Sequence, residues 1–242
     1  MSEPVLDPYS LILRFVGRYL KPNFQYQSIK SLIVPATSKT PAYFIIGNKI
    51  YLSTKNIECN LIGSGLATGL TLAASTVYYL YAILISDNVS LVADTNDPTV
   101  GPRQYKIWTY LGAFVTTSGT NVMEFVSNNG FCLCDDEIQI VTHTGDTNFS
   151  ATTLNPFPIT AKMVYGLAGI TGAAGTGGLI SASGTSGHQA LTVINEVAAG
   201  TAYNTGFIPI LTTNTIYIKT QSAAGTVEFD SLGWVENPSE YP

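Results

Sequence analysis

The chain has 242 residues, 45% hydrophobic and 11% charged, well under half of the roughly 25% charge usual in soluble domains, so intrinsic disorder is excluded. A net charge of −5 excludes a general nucleic-acid binder, and no stretch approaches the roughly 18–20 uninterrupted apolar residues that a membrane-spanning helix requires. The length fits one large domain or two small ones, with enough chain to bury a core without disulfides.

Charge is unevenly placed. Residues 1–46 hold Arg14, Arg18, Lys21, Lys30 and Lys39 against Glu3 and Asp7, a balance of +3 that leaves −8 for the rest. Glu3 and Asp7 at the start, and Arg14 and Arg18 within 11–20, exclude a secretory signal. Asp7 can cap a helix with Pro8 at its first position, and Leu11, Ile12, Phe15, Val16, Tyr19 and Leu20 then share one face. Arg14 and Arg18 flank that stripe, and Lys21-Pro22 ends the pattern. A helix of about thirteen residues cannot bury such a stripe alone, so it packs on its own β domain or docks on another protein. Pro22, Pro35 and Pro41 punctuate the chain from there to residue 46, which reads as the rest of an extended arm, 1–46.

From residue 47 onward, short runs of β-branched and aromatic residues alternate with turn residues. Strands are expected at 50–53, 66–72, 77–86, 89–93, 105–117 and 122–127. The acidic cluster Asp135, Asp136 and Glu137 reads as the exit from this first unit, 47–136. A second unit, 137–242, is expected to place strands at 137–142, 158–165, 191–197, 207–211, 215–220, 226–229 and 232–235. Between them, 166–187 consists almost wholly of Gly, Ala, Thr and Ser. It reads either as a long loop or as a place where backbones approach closely in an assembly. The fold class is therefore mainly β, with antiparallel β-sandwich (jelly-roll-like) units behind an N-terminal helix-containing arm.

Catalytic chemistry is hard to assemble from these residues. The glycine runs at 63–69 and 172–178 lack the lysine or the spacing of phosphate-binding loops, and no Gly-x-Ser-x-Gly elbow occurs. His143 and His188 sit in polar, loop-like contexts. Cys132 and Cys134 alternate along a strand with both thiols on one face, which suits neither a reactive thiolate nor a wrapped zinc ion. With Cys59 they form no disulfide framework and read as reduced. Asp94-Thr95-Asn96-Asp97 offers oxygens for calcium but reads better as a polar turn. No catalytic, metal or cofactor residue is assigned. Trp108, Tyr110, Tyr203 and Trp234 are candidate sugar-stacking aromatics that serve equally as core, and Asn128, Asn129 and Asn204 are candidate glycan-contacting amides.

Several stretches go beyond generic β sequence. Ile50-Tyr51-Leu52, the run from Leu70 to Ala82 with its Val77-Tyr78-Tyr79-Leu80-Tyr81 core, Pro98 and Pro102, and Tyr110 to Gly119 together resemble a β module of tailed-bacteriophage virion proteins. The end, Thr226-Val227-Glu228-Phe229 and Leu232-Gly233-Trp234-Val235, is similar to the closing strands of phage appendage domains. The resemblance covers 47–134 well and 137–238 loosely, and leaves the first 46 residues unmatched. It implies a non-enzymatic component of the virion, a short tail fibre, appendage or capsid decoration protein, commonly a homotrimer. Residues 1–46 would then anchor it to capsid or tail proteins through Leu11, Arg14, Phe15, Arg18 and Tyr19. The alternative is a carbohydrate-binding module for host-surface glycans through Trp108, Tyr203 and Trp234.

Overall fold

The computed structural model describes residues 22–128, 130–173, 175–185, 189–194 and 200–241. These form two compact units, 22–122 with 238–241, and Met123–Asn237. Both are built of antiparallel ladders, so the mainly β expectation holds.

Unit 1 contains β1 (Gln25–Ser28), β2 (Ser31–Val34), β3 (Ala42–Ile46), β4 (Lys49–Ser53), β5 (Ile57–Asn60), β6 (Val77–Ile85), β7 (Asn88–Asp94) and β8 (Trp108–Val115). They pair as β1-β2-β5, as the β3-β4 hairpin and as β7-β6-β8. Tight turns set two registers: Gly47 and Asn48 join β3 to β4, and Ser86 and Asp87 join β6 to β7, all four at positive φ as a two-residue hairpin loop demands. β6 is the centre of the unit, with residues 78–83 all buried. Its tyrosines bury rings while satisfying hydroxyls: Tyr78 donates to the Thr71 carbonyl and accepts from the Ala73 amide, and Tyr81 donates to the Asn96 carbonyl. Tyr78 stacks on Phe114 at 5.5 Å, and Tyr81 meets Trp108 edge-on at 5.2 Å. Tyr241, from the returning C-terminal residues, meets Tyr110 at 5.6 Å.

Unit 2 contains β9 (Phe125–Asn128), β10 (Phe131–Cys134), β11 (Gln139–Thr144), β12 (Ser150–Thr153), β13 (Ala161–Gly172), β14 (Gly177–Ser181), β15 (Gln189–Ile194), β16 (Gly200–Pro209), β17 (Thr215–Thr220) and β18 (Thr226–Glu236). One sheet runs β16-β13-β18-β10-β9, with β11 continuing on β18 beyond the end of β10; the other runs β12-β17-β14-β15. Val164, Ala168, Ile170, Val227, Phe229 and Trp234 of the first sheet, and Leu179, Ile180, Ile216 and Ile218 of the second, are all buried, and the two sheets touch through β13 and β14 and through β17 and β18. Phe157 meets Trp234 edge-on at 5.9 Å within this core.

Several expectations need correction. The helix over 8–20 lies outside the described residues. Residues 23–46 are not an extended arm: they hold β1, β2 and β3, and Phe24, just before β1, with Leu32, Val34, Phe44 and Ile46 are core residues of unit 1. Pro22 precedes β1, and Pro35 and Pro41 lie between β2 and β3, where a missing N–H costs no ladder bond. Residues 66–72 form turns with a single bridge from Leu66 to Ala93, not a strand. The small-residue stretch is not a long loop: β13 continues to Gly172 and β14 occupies 177–181. Small residues pack there because a larger neighbour fills the space, as where the Phe229 ring lies against Gly166. β18 is one strand through Asp230 and Ser231, with a bulge opposite Tyr165 and Gly166. Finally, the units divide after Val122 rather than after residue 136, because β10 pairs with β18 from the far end of the sequence.

Candidate functional site

The inward face of the six-stranded sheet is core, so its other face carries the alternate residues. Register places Val126, Leu133, Gly233, Tyr165 and Phe207 in one row across β9, β10, β18, β13 and β16. In the next row lie Asn128, Phe131, Val235, Met163 and Pro209. The outer face of a one-sided antiparallel sheet is ordinarily polar. Here Val126 is 71% exposed, Phe207 42% and Leu133 36%, with Tyr165 and Phe131 half-buried. The three aromatic rings associate: Tyr165 and Phe207 at 4.9 Å, Phe131 and Phe207 at 5.6 Å, Phe131 and Tyr165 at 6.2 Å.

Gly233 has no side chain in the middle of this row, between Leu133 and Tyr165, and is itself buried. The absence is enforced from the side, since a Cβ on Gly233 would run into the Cys132 carbonyl oxygen. Along the strands in the other direction the face becomes polar. Asp230 lies between Ile140 and Leu167, and Glu228 between Thr142 and Gly169. Asp230 is almost covered, and its Oδ1 has no hydrogen-bond partner among the described residues. Burial, then the charges of Glu228 and Glu137, hold its carboxyl above the usual carboxylate range. Four threonines, Thr144, Thr226, Thr171 and Thr201, close this polar end, paired by hydroxyl contacts of 3.1 and 3.2 Å.

The anticipated glycan contacts separate. Trp234 is wholly buried, so it cannot meet a sugar; period-2 alternation from Phe229 across the bulge turns it inward. Trp108 is half-buried in unit 1, where its indole covers Gly101 and lines an open groove with Ile45, Gly47, Asn48, Lys106 and Ile107. Tyr110 is core. Tyr203 alone is well exposed, at 63%, with its ring laid over Gly169 of the neighbouring strand. The Asn204 side-chain amide donates to the Thr192 carbonyl at 2.8 Å, Asn128 is exposed at the end of β9, and Asn129 lies outside the described residues. So do Leu11, Arg14, Phe15, Arg18, Tyr19 and His188.

One polar constellation escaped the sequence reading. Asp146 Oδ2 lies 2.7 Å from His143 Nδ1, and His143 Nε2 lies 2.7 Å from the Thr152 hydroxyl. With the proton on Nδ1, the ring donates to the carboxylate and accepts from the hydroxyl, so all three groups are satisfied. Carboxylate, imidazole and hydroxyl in that order also activate nucleophiles in hydrolases. Here, however, Thr152 is in the middle of the β12–β17 ladder, opposite Ile216, rather than on a sharp turn. The arrangement acts as a clamp that ties β11 of one sheet to β12 of the other. The His143 hydrogen bond is the main reason the Asp146 carboxyl is held below the usual range; it outweighs an opposing desolvation, and a hydrogen bond from Ser150 adds to the lowering.

The remaining ionisable candidates are structural. Asp94, fully buried, accepts from the Asn96 and Arg103 amides and faces the Arg103 guanidinium at 3.6 Å, which makes 94–97 a tied turn. Burial pushes the Cys59 thiol up to about 12 and the Cys132 thiol well above its ordinary value, away from nucleophilic use. All three cysteines are unpaired and buried, and no cluster of three or more His, Cys, Asp or Glu suited to a metal ion occurs among the described residues.

No family model matches the chain, and no curated protein matches it. Among solved structures, one of infectious bursal disease virus, Gx strain, aligns over 88% of this chain and 70% of that chain at 13% identity, with a TM-score of 0.19. Similarity of that size carries no argument about function.

Proposed function

We propose that this protein is a non-enzymatic structural component of a phage virion, a short tail fibre, appendage or capsid decoration subunit. The observation that carries the reading is the aromatic outer face of the six-stranded sheet. A cluster of Phe131, Tyr165 and Phe207, extended by Val126 and Leu133, has the chemistry of an interface core rather than of a solvated sheet. In this reading the subunits form a homotrimer, which covers apolar faces and sheet edges. The two sheets of unit 2 are read as a jelly-roll-like sandwich, and both units project outward from the particle. The anchor to capsid or tail proteins narrows to 1–21, with Leu11, Arg14, Phe15, Arg18 and Tyr19, because 23–46 belong to unit 1. The resemblance of 47–134 to virion β modules supports the same reading.

Light scattering over a range of concentrations tests self-association. A trimer of 25.8 kDa subunits has a mass of about 77 kDa. A monomer at every concentration removes the trimer. A chain lacking 1–21 that enters particles at the normal level removes the anchor.

A second reading, recognition of host-surface carbohydrate, is favoured by Tyr203, whose ring has one side on Gly169 and stands well exposed. A glycan array on which Tyr203→Ala binds as the native protein does would remove it.

A further inference from the structure

We propose that the groove of unit 1 beside Trp108 binds a carboxylated sugar residue, with the apolar face of the sugar against the indole, its carboxylate on the Lys106 ammonium and a hydroxyl on the Asn48 amide. The site is separate from Tyr203 and from the aromatic face, both of which belong to unit 2.

The groove forms where the tip of the β3–β4 hairpin meets the start of β8. Gly47 and Asn48 turn that hairpin, and Ile107 packs over Gly47, where a Cβ would strike its Cγ2. The Thr109 hydroxyl donates to the Ile45 carbonyl, so the two walls are tied to each other. The indole is fixed as well: Gly101, at positive φ, abuts it where a Cβ would clash, and Tyr81 meets its ring edge-on. An aromatic wall set in advance needs no ordering when a ligand arrives, which suits a small ligand with few contacts.

Size and charge select the ligand. The groove encloses about 370 Å3, near the lower end of the roughly 300–1,000 Å3 of small-molecule sites, which is room for a sugar unit rather than a folded partner. Ile45, Ile107 and Trp108 supply the apolar wall, and Asn48 and Lys106 the polar rim. Among the described residues no hydrogen bond or ion pair engages the side chain of Lys106 or Asn48, and no carboxylate lines the groove. Lys49, next to Asn48 on the hairpin, is a second exposed cation. The ligand that completes this site is therefore apolar on one flat side and anionic at its edge, as a pyranose bearing a carboxylate is. A nucleic acid also has flat faces and anions, but the net charge of −5 opposes its backbone.

The test is titration of the full-length chain with a galacturonate oligomer and with a sialate oligomer, followed by the NMR signals of its two indole N–H groups. The methyl esters of both oligomers are the neutral counterparts. The expected result is that at least one acid shifts the Trp108 signal saturably while that of Trp234, wholly buried in unit 2, stays in place. Its ester should bind at least about tenfold more weakly, the loss of one charge-assisted hydrogen bond. Lys106→Gln should weaken the acid by a similar factor and leave the ester unchanged, and Lys106→Arg should retain the acid. Asn48→Gly keeps the left-handed turn and removes only the amide, so acid and ester should weaken alike, by about two- to tenfold. No saturable shift with either acid overturns the proposal. So does equal binding of acid and ester, or a shift that Lys106→Gln leaves as it was. The reading built on Tyr203 fails separately: Tyr203→Ala should leave the Trp108 shift intact, and if it abolishes the shift, the sugar sits on unit 2 and the groove is not its site.

Discussion

Single atoms decide more at Gly233 and Asp230 than their neighbours suggest. Gly233 sits opposite Leu133 and Tyr165 in an apolar row, and the Cys132 carbonyl occupies the space of a Cβ. Gly233→Ala is therefore expected to push β10 and β18 apart and cost at least about 2 kcal/mol, read as a lower urea midpoint. An unchanged midpoint would mean that the strands yield freely. Asp230 works in the opposite sense. Its carboxyl is raised by burial and by Glu228 and Glu137, so folding disfavours the charged form. The fold is then most favoured below the carboxyl's unfolded value and loses stability as pH rises through the raised folded value. Asp230→Asn should raise the urea midpoint near neutral pH and lose that advantage in acid. A midpoint lower than the native one near neutral pH would show that the charge already has a partner.

Among elements, the link between β11 and β12 is the one place where titration and architecture meet. His143 reaches from one sheet to Thr152 of the other while holding Asp146, so His143→Ala removes two hydrogen bonds and should cost about 1–2 kcal/mol. Asp146 is lowered, so its contribution is present above the unfolded carboxylate value and disappears as pH falls through the folded one. The gap in urea midpoint between the native chain and Asp146→Asn should thus be constant near neutrality and close in acid; a gap that persists in acid would assign the effect to packing. The sequence announced β6, β8 and β17 through dense β-branched and aromatic runs, and it announced the paired inward thiols of β10. The clamp was invisible, because His143, Asp146 and Thr152 look like polar loop residues until β11 and β12 come together. The start of β13 lies in the expected strand 158–165, but its continuation to Gly172, and β14, were equally hidden. Their Gly, Ala and Thr residues carry no pattern of their own, and in β13 Phe229 and Tyr203 lie across Gly166 and Gly169. β1 and β2 were hidden by the prolines around them, which read as an arm.

Across the whole molecule the chain leaves unit 1 at Val122, completes unit 2, and returns to unit 1 at Pro238. Every ladder of unit 2 closes within Met123–Asn237, including the pairing of β10 with β18 from opposite ends of that span. The aromatic face that carries the functional reading therefore depends on unit 2 alone, and unit 2 should unfold as its own cooperative element. Each unit holds one tryptophan, Trp108 in the first and Trp234 in the second, so Trp234→Phe and Trp108→Phe leave one reporter apiece. Gly233→Ala is expected to shift the urea transition seen by Trp234 and to leave the transition seen by Trp108 in place. If both transitions move together, the two units unfold as one, and the outer face of β9, β10, β18, β13 and β16 cannot be altered without cost to the tyrosine core around β6. If only the Trp234 transition moves, surface substitutions such as Phe207→Asp can be judged by their effect on assembly, with Trp108 serving as the internal control for folding.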